Sequence, residues 1–133
     1  MKVMLLFLGL IAVVTSANAD ERLKRLDLTQ ARSLARVAAE SSGFSTRSGF
    51  SLEDAELKQY PDFYFFSVLL PAEGAEGSSA NYAVNKYTGE VWKPFGCHRV
   101  SSSRLSKLRQ KLMKQLGLTK EELRQHQDDI PCL

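Results

Sequence analysis

Few side chains in this sequence have the types and spacing that catalysis or metal binding requires. The two histidines are His98 and His126, and there is no HExxH, no CxxC and no acidic cluster at metal-ligand spacing. A GxSxG elbow and a glycine-rich phosphate loop are also missing. The hydroxyls of Ser101 to Ser103 have no histidine or lysine in a recognisable activating motif, so we interpret them as helix caps. We therefore expect no enzymatic activity, catalytic residue, metal or cofactor.

The start of the chain, residues 1–19, indicates export. Lys2 supplies a positive charge, Val3 to Val14 form an apolar run, and Ala17-Asn18-Ala19 is a small-x-small cleavage site. The apolar run is about 12 residues long, well short of the ~20 needed to span a bilayer. We expect cleavage after Ala19 and a single, non-membrane-spanning domain over residues 20–133 in the periplasm.

An exported protein with two cysteines is expected to form one disulfide. Cys97 and Cys132 are the two candidates. The alternative is a free catalytic thiol assisted by the neighbouring His98. We favour the disulfide because adjacent side chains rarely point at each other and an oxidising compartment would cap the thiol.

The charge of the chain is mild but its basic residues are concentrated. A formal net charge of +3 does not argue for nucleic acid binding. A basic stretch lies in and just before a helix predicted over residues 103–116. Its members are Arg99, Arg104, Lys107, Arg109, Lys111 and Lys114. This stretch is either a solvated helix face or a patch that attracts an acidic partner or a cell-wall polymer.

The hydrophobic periodicity predicts an α+β fold. Apolar residues at helical spacing predict a first helix, with Thr29 as N-cap, and strand-like alternation follows it. A capping box at Thr119 opens a last short helix that ends near His126. The predicted elements are a helix over 30–42, strands over 50–58, 63–70, 81–85 and 90–92, and two helices from 103 to 126. We expect the N-terminal helix to pack on a four-stranded antiparallel sheet, followed by two C-terminal helices and one disulfide.

The second strand, FYFFSVLL, carries aromatic residues on both faces. Either the set that starts at Phe63 or the set that contains Tyr64 and Phe66 must pack under the helices. The other set would then form an open, partner-binding face, for which we select Tyr64, Phe66 and Trp92. The alternative is that both faces are covered, one by the first helix and the other by the helix over residues 105–116.

The segment from Ala72 to Ser79, AEGAEGSS, is an acidic glycine-rich loop. Glu73 and Glu76 could act as general acid and base, but carboxylates in such a loop are solvated and their pKa values are hard to tune. Two other interpretations are a solubilising connection and a recognition loop that presents carboxylates to a partner.

Three stretches within residues 28–92 resemble a known family. They are LTQARSLARVAA, FYFFSVLL and YAVNKYTGEVW. They resemble the PepSY-like arrangement, whose last hairpin carries a V-D/N-x-x-T-G-x-V turn. Small exported proteins with cystatin-like or nuclear-transport-factor-like folds look similar in this stretch, including immunity proteins of type VI secretion systems. The resemblance implies a non-catalytic periplasmic module that inhibits another exported protein.

Together these observations predict an immunity or inhibitor protein. Its partner would be an exported toxin or hydrolase, whose cleft it would occlude with the loop over residues 72–79 and the neighbouring strand aromatics. The alternative is a structural or ligand-binding module that contacts peptidoglycan or the membrane surface through the basic helix over residues 103–116.

Overall fold

A computed structural model describes residues 24–44, 49–70, 80–127 and 130–133 of the chain. Its elements, in chain order, are α1 Leu28–Ser41, β1 Ser51–Ala55, β2 Phe63–Leu69, β3 Ala80–Asn85, β4 Val91–Lys93, β5 His98–Arg99, α2 Ser103–Leu116 and α3 Lys120–Arg124. The five strands form one antiparallel sheet in sequence order. The α+β class is confirmed. The predicted number of strands is wrong, because the two residues of β5 are too few to show an alternating pattern.

Helix α1 begins two residues earlier than the sequence predicts. Asp27, rather than Thr29, is its N-cap, and the Asp27 side chain accepts a hydrogen bond from the backbone N–H of Gln30. The Gln30 side chain accepts from the backbone N–H of Asp27 in return, which completes a capping box. The buried stripe of α1 is Ala31, Leu34, Ala35, Ala38 and Ala39. Four of its five side chains are alanine, so the helix backbone can approach the sheet closely.

Helices α1 and α2 pack on the same face of the sheet. One hydrophobic core contains Leu105 and Leu112 of α2, the buried stripe of α1 and the strand side chains that face these two helices. The core confirms that the N-terminal helix packs on the sheet, but the expectation that the two helices cover opposite faces is wrong. Helix α2 ends as predicted, at Gly117, whose φ of 65° lies in the left-handed region.

The second face of the sheet is linked to residues 130–133 through Tyr60. Phe63, Phe65 and Ala83 form a smaller buried cluster there, with Tyr60 packed against it. The Tyr60 hydroxyl donates a hydrogen bond to the carbonyl oxygen of Cys132, 2.6 Å away. Residues 130–133 are therefore attached to this face. No helix in the described ranges is both long and apolar enough to cross a membrane.

The turn between β3 and β4 is organised by Asn85. The Asn85 side chain is buried, and its Oδ1 accepts hydrogen bonds from the backbone N–H groups of Tyr87 and Thr88 at 2.8 and 3.0 Å. Its Nδ2 donates to the carbonyl oxygen of His126, 3.3 Å away. Gly89 has a φ of 68° and closes the turn with a bond to the Asn85 carbonyl oxygen. One side chain thus fixes both the turn and His126, the second residue after α3.

The backbone of the same turn connects three other segments. Lys86 accepts a hydrogen bond from Leu26 in the lead-in to α1, and its N–H donates to Asp62 in the β1–β2 connection. Arg109 of α2 donates from Nε to the carbonyl oxygen of Thr88, 2.6 Å away. Most of the polar groups in the NKYTG sequence are therefore used within the fold.

We expect Asn85→Ala to lower the free energy of unfolding by about 3 kcal/mol, because two buried N–H groups and one carbonyl group lose their partner. Urea denaturation followed by fluorescence measures the loss. Gln110→Ala removes an exposed amide from α2 and is the matched control, with an expected change within about 0.5 kcal/mol. Equal losses in the two variants would show that Asn85 has no special role.

Candidate partner-binding surface

A four-residue turn over residues 94–97 forms the tip of the β4–β5 hairpin. Pro94 is buried, whereas Phe95 leaves 64% of its surface exposed. Gly96 and Cys97 both have positive φ values, 99° and 55°, and Cys97 is the one non-glycine residue with such a value in the described ranges. The left-handed conformation costs a non-glycine residue about 1 kcal/mol. Other contacts must therefore hold the tip in place.

The disulfide between Cys97 and Cys132 provides this support, with 5.1 Å between the Cα atoms. The predicted pairing is confirmed, and the alternative of a free catalytic thiol is wrong. Leu133 also donates its N–H to the carbonyl oxygen of Pro94 at 3.1 Å. The tip is thus attached by a covalent bond and a hydrogen bond to residues 130–133.

Three large apolar side chains near this disulfide are exposed. We call Phe95, Ile130 and Leu133, exposed by 64%, 48% and 47%, the tip patch. Each of them lies within two residues of a cysteine of the same disulfide. Aromatic side chains on rigid surfaces contribute most to protein–protein binding, because they bury a large area at little entropic cost. The tip patch therefore has the composition of a small protein-binding surface.

A cavity of about 420 Å³ opens beside the tip. It is lined by Ser42, Phe44, Ala80, Asn81, Tyr82, Lys93 and Phe95. Ala80 is the first residue of β3, so β3 begins at the same end of the sheet as the tip. Glu73 and Glu76 lie outside the described residues, and their partner-binding role stays a prediction.

The structure corrects the expected exposure of Tyr64 and Phe66. Both side chains are buried in the main core beneath the helices, so they do not form an open face. The Tyr64 hydroxyl donates to the carbonyl oxygen of Leu26, 3.3 Å away, and the Nζ of Lys86 lies 4.5 Å from the centre of the Tyr64 ring. Alternation places Tyr64 and Phe66 on one face, but aromatic residues occupy both faces of β2. The pattern therefore could not decide which face meets the helices.

Trp92 lies on the second face, opposite Ala83 and Arg99 on the neighbouring strands. It is half-buried and packs against the cluster that contains Phe63. Its Nε1 is buried and has no hydrogen-bond partner among the described residues. A partner-binding role for Trp92 stays a prediction.

The predicted basic residues divide into two groups. Arg104, Lys107, Lys111 and Lys114 are exposed on α2. Arg109 is turned toward the β3–β4 turn, where its Nη2 lies 3.8 Å from Glu90. Arg109 therefore contributes to the fold as well as to the charge of the surface.

The two histidines have different surroundings and share no contact described in the fold. His98 is exposed beside the disulfide. His126 stacks on the ring of Tyr87 with 3.8 Å between centroids, and its Nδ1 lies 3.5 Å from a carboxylate oxygen of Asp62. Within the described ranges, no group of three or more histidine, cysteine or acidic residues could hold a metal ion.

Comparison with known proteins finds a shared fold. No protein-family model matches the sequence, and no curated protein matches it. A chain in the solved structure of a type VI secretion system effector–immunity complex from Pseudomonas protegens is similar, with a TM-score of 0.64. The match covers 82% of this chain and 93% of that chain at 20% sequence identity. This chain therefore shares the fold of a protein found in such a complex.

Sequence reasoning missed Phe95 as a functional candidate. The signal was a large apolar residue between Pro94 and Gly96, two residues that favour turns. A phenylalanine inside a turn is expected to be exposed unless the turn folds back on the core.

We expect Cys97→Ser/Cys132→Ser to lower the free energy of unfolding by about 3 to 4 kcal/mol, because the disulfide restricts a loop closed across a separation of 35 residues. Urea denaturation followed by the fluorescence of Trp92 measures the change. The unsubstituted protein in excess reductant is the control and should lose the same amount. Unchanged stability in both samples would contradict a stabilising role for the disulfide.

Burial raises the pKa of the Tyr64 phenol above its ordinary value. The unfolded chain therefore releases this proton at lower pH than the folded chain, so stability is lost as the pH rises above about 10. We expect Tyr64→Phe to flatten this decline, which denaturation midpoints from pH 8 to 11 would measure. Tyr87→Phe is the control and should keep the decline. An unchanged slope in Tyr64→Phe would contradict the assignment.

Proposed function

We propose that this chain is a non-catalytic periplasmic binding protein, an immunity or inhibitor protein that neutralises a cell-envelope-directed toxin or hydrolase by covering its active site. The observation that carries the proposal is the tip patch, in which an exposed phenylalanine stands on a turn fixed by a disulfide. Such a rigid, convex apolar surface suits insertion into the cleft of another protein.

The shared fold supports the same role. The similar solved chain belongs to an effector–immunity complex, in which one protein binds another. At 20% identity the comparison supports a shared fold and nothing finer. The kind of partner is therefore inferred from the exposed residues of this chain. The resemblance of residues 28–92 to small exported inhibitory proteins points in the same direction.

The proposed mechanism is occlusion by the end of the sheet that carries Phe95. Pro94 and the disulfide hold the turn, so little conformational entropy is lost when Phe95 enters a pocket. The loop over residues 72–79 joins the sheet at this same end, and its Glu73 and Glu76 would engage cationic or metal groups in the cleft. Phe95 supplies affinity and the carboxylates supply specificity in this arrangement.

Export completes the proposal. Residues 1–19 would be removed after Ala19, and residues 20–133 would fold as one domain in the periplasm. The disulfide is compatible with that oxidising compartment.

We expect Phe95→Asp to abolish protection against the partner. The test co-expresses the full chain with a candidate exported toxin or hydrolase and measures cell survival, with binding of the purified proteins measured by calorimetry. Loss of a central aromatic residue and burial of a carboxylate should weaken binding by about 30-fold or more. Because Phe95 is exposed, the free energy of unfolding should stay unchanged.

The matched control for this test is Gln110→Asp, which places the same carboxylate on an exposed position of α2 and should protect as well as the unsubstituted chain. A second control lacks residues 1–19 and should not protect, because it remains in the cytoplasm. Full protection by Phe95→Asp would overturn the proposed binding surface. Failure of the unsubstituted chain to bind or protect would overturn the proposed function.

A further inference from the structure

The outer surface of the two packed helices is strongly basic. The start of α2 lies beside the end of α1, since Arg104 Nη1 is 2.8 Å from a carboxylate oxygen of Glu40. Helix α2 presents a stripe at helical spacing, and α1 contributes two arginines beside it. We define the basic face as Arg32, Arg36, Arg104, Lys107, Lys111 and Lys114. The 14 residues of α2 include no acidic residue, and those of α1 include one, Glu40.

A groove of about 280 Å³ runs between the two helices on this face. Val37 and Leu108, both half-buried, supply apolar side chains to its lining. The guanidinium-bearing residues Arg32, Arg36 and Arg104 line it as well. The groove is therefore a concave surface with an apolar component and a border of three arginines and one carboxylate, that of Glu40.

The charges of the basic face are only partly neutralised. Arg32 pairs with Asp54 at the sheet edge, and Arg104 pairs with Glu40. The guanidinium of Arg36 lies 5.1 Å from the centre of the Phe50 ring, a contact that leaves its charge in place. Within the described ranges no carboxylate lies within 4.0 Å of the Nζ atoms of Lys107, Lys111 and Lys114.

This distribution of charge does not serve the stability of α2. Lys107 and Lys111 are four residues apart, and Lys111 and Lys114 are three apart, so each pair repels by about 0.2 to 0.5 kcal/mol. Arg104 lies in the first turn of α2, where the helix dipole disfavours a positive charge. If the exposed side chains of α2 served only to contact water, acidic residues at some of these positions would make the helix more stable.

We propose that the basic face binds an acidic surface of another protein, a segment whose carboxylates meet the guanidinium and ammonium groups while its apolar side chains enter the groove. Planar guanidinium groups bind carboxylates through two parallel hydrogen bonds, which suits Arg36 and Arg104. A protein segment fits this face better than a membrane, because the groove is concave. The exposed large apolar side chains of the described residues, Phe95, Ile130 and Leu133, all lie outside the two helices.

The basic face and the tip patch are formed by different elements, so this inference stands apart from the proposed function. The probe is a fluorescein-labelled helical peptide of Glu, Ala and Leu, and its counterpart has Gln in place of every Glu. Fluorescence anisotropy with the full exported protein measures binding of both peptides at low and at physiological salt. We expect the acidic peptide to bind, its affinity to fall as salt rises, and the Gln peptide not to bind.

Lys107→Glu/Lys111→Glu should weaken binding of the acidic peptide by about tenfold or more, through loss of two charge contacts and gain of repulsion. The matched control, Lys58→Glu/Lys120→Glu, changes the net charge equally at exposed positions outside α2 and should stay within about twofold. The two new glutamates still repel each other, but each gains an oppositely charged neighbour three residues away, Arg104 or Lys114, so the thermal unfolding temperature of the first variant should be equal or higher. Arg104→Lys keeps the charge but lacks the planar fork, and should weaken binding by a few-fold.

Equal losses in the two double variants would overturn the inference, because net charge alone would then explain binding. Equal binding of the Gln peptide would also overturn it. So would binding to vesicles of anionic phospholipid in the absence of peptide binding, which would assign the face to a membrane. Phe95→Asp should bind the acidic peptide normally, so that failure of this inference is distinguishable from failure of the proposed function.

Discussion

The hydrogen bonds of one buried amide hold the separate parts of this fold together. Asn85 caps the β3–β4 turn with its oxygen and binds the carbonyl of His126, two residues after α3, with its nitrogen. The backbone of the following residues then binds the lead-in to α1, the β1–β2 connection and α2. A buried amide with several hydrogen-bond partners stabilises the fold mainly because its loss would leave those partners unpaired, which costs free energy. The polar residues of the TG turn therefore serve the scaffold.

The parts of the fold that local sequence determines were predictable. Caps and left-handed glycines identify the ends of helices, so the last residue of α2 was predicted correctly from Gly117. The predicted start of α1 is wrong by two residues because Asp27 and Thr29 are both suitable N-caps, but Asp27 has a glutamine three residues later, Gln30, that completes a capping box, whereas Thr29 has Arg32 there. The short β5 has no periodicity to detect, and it forms because the tip returns the chain beside β4.

The parts that depend on packing were not predictable in the same way. Both faces of β2 are apolar, so the choice between Tyr64 and Phe63 for the main core depends on where the helices lie. The sequence offers a helix for each face, whereas the structure places both helices on one face and packs Leu57, Tyr60 and Trp92 against the cluster on the other. The candidate binding surface differs from the predicted one for the same reason. Tyr64 and Phe66 are buried in the core, and the exposed aromatic residue among those described is Phe95, in a turn.

Attachment of the second face to residues 130–133 also links this face to the tip. Helices α1 and α2 and the strand side chains beneath them share one core, to which Cys132 contributes no side chain. The links between the second face and the tip, in contrast, form only with Cys132, which takes part in both the disulfide and the Tyr60 hydrogen bond. Attachment of residues 130–133 to the second face and fixing of the Phe95 turn therefore coincide. The conformation of that turn depends on contacts at a distant part of the sequence, and a change at Tyr60 can reach Phe95 through Cys132.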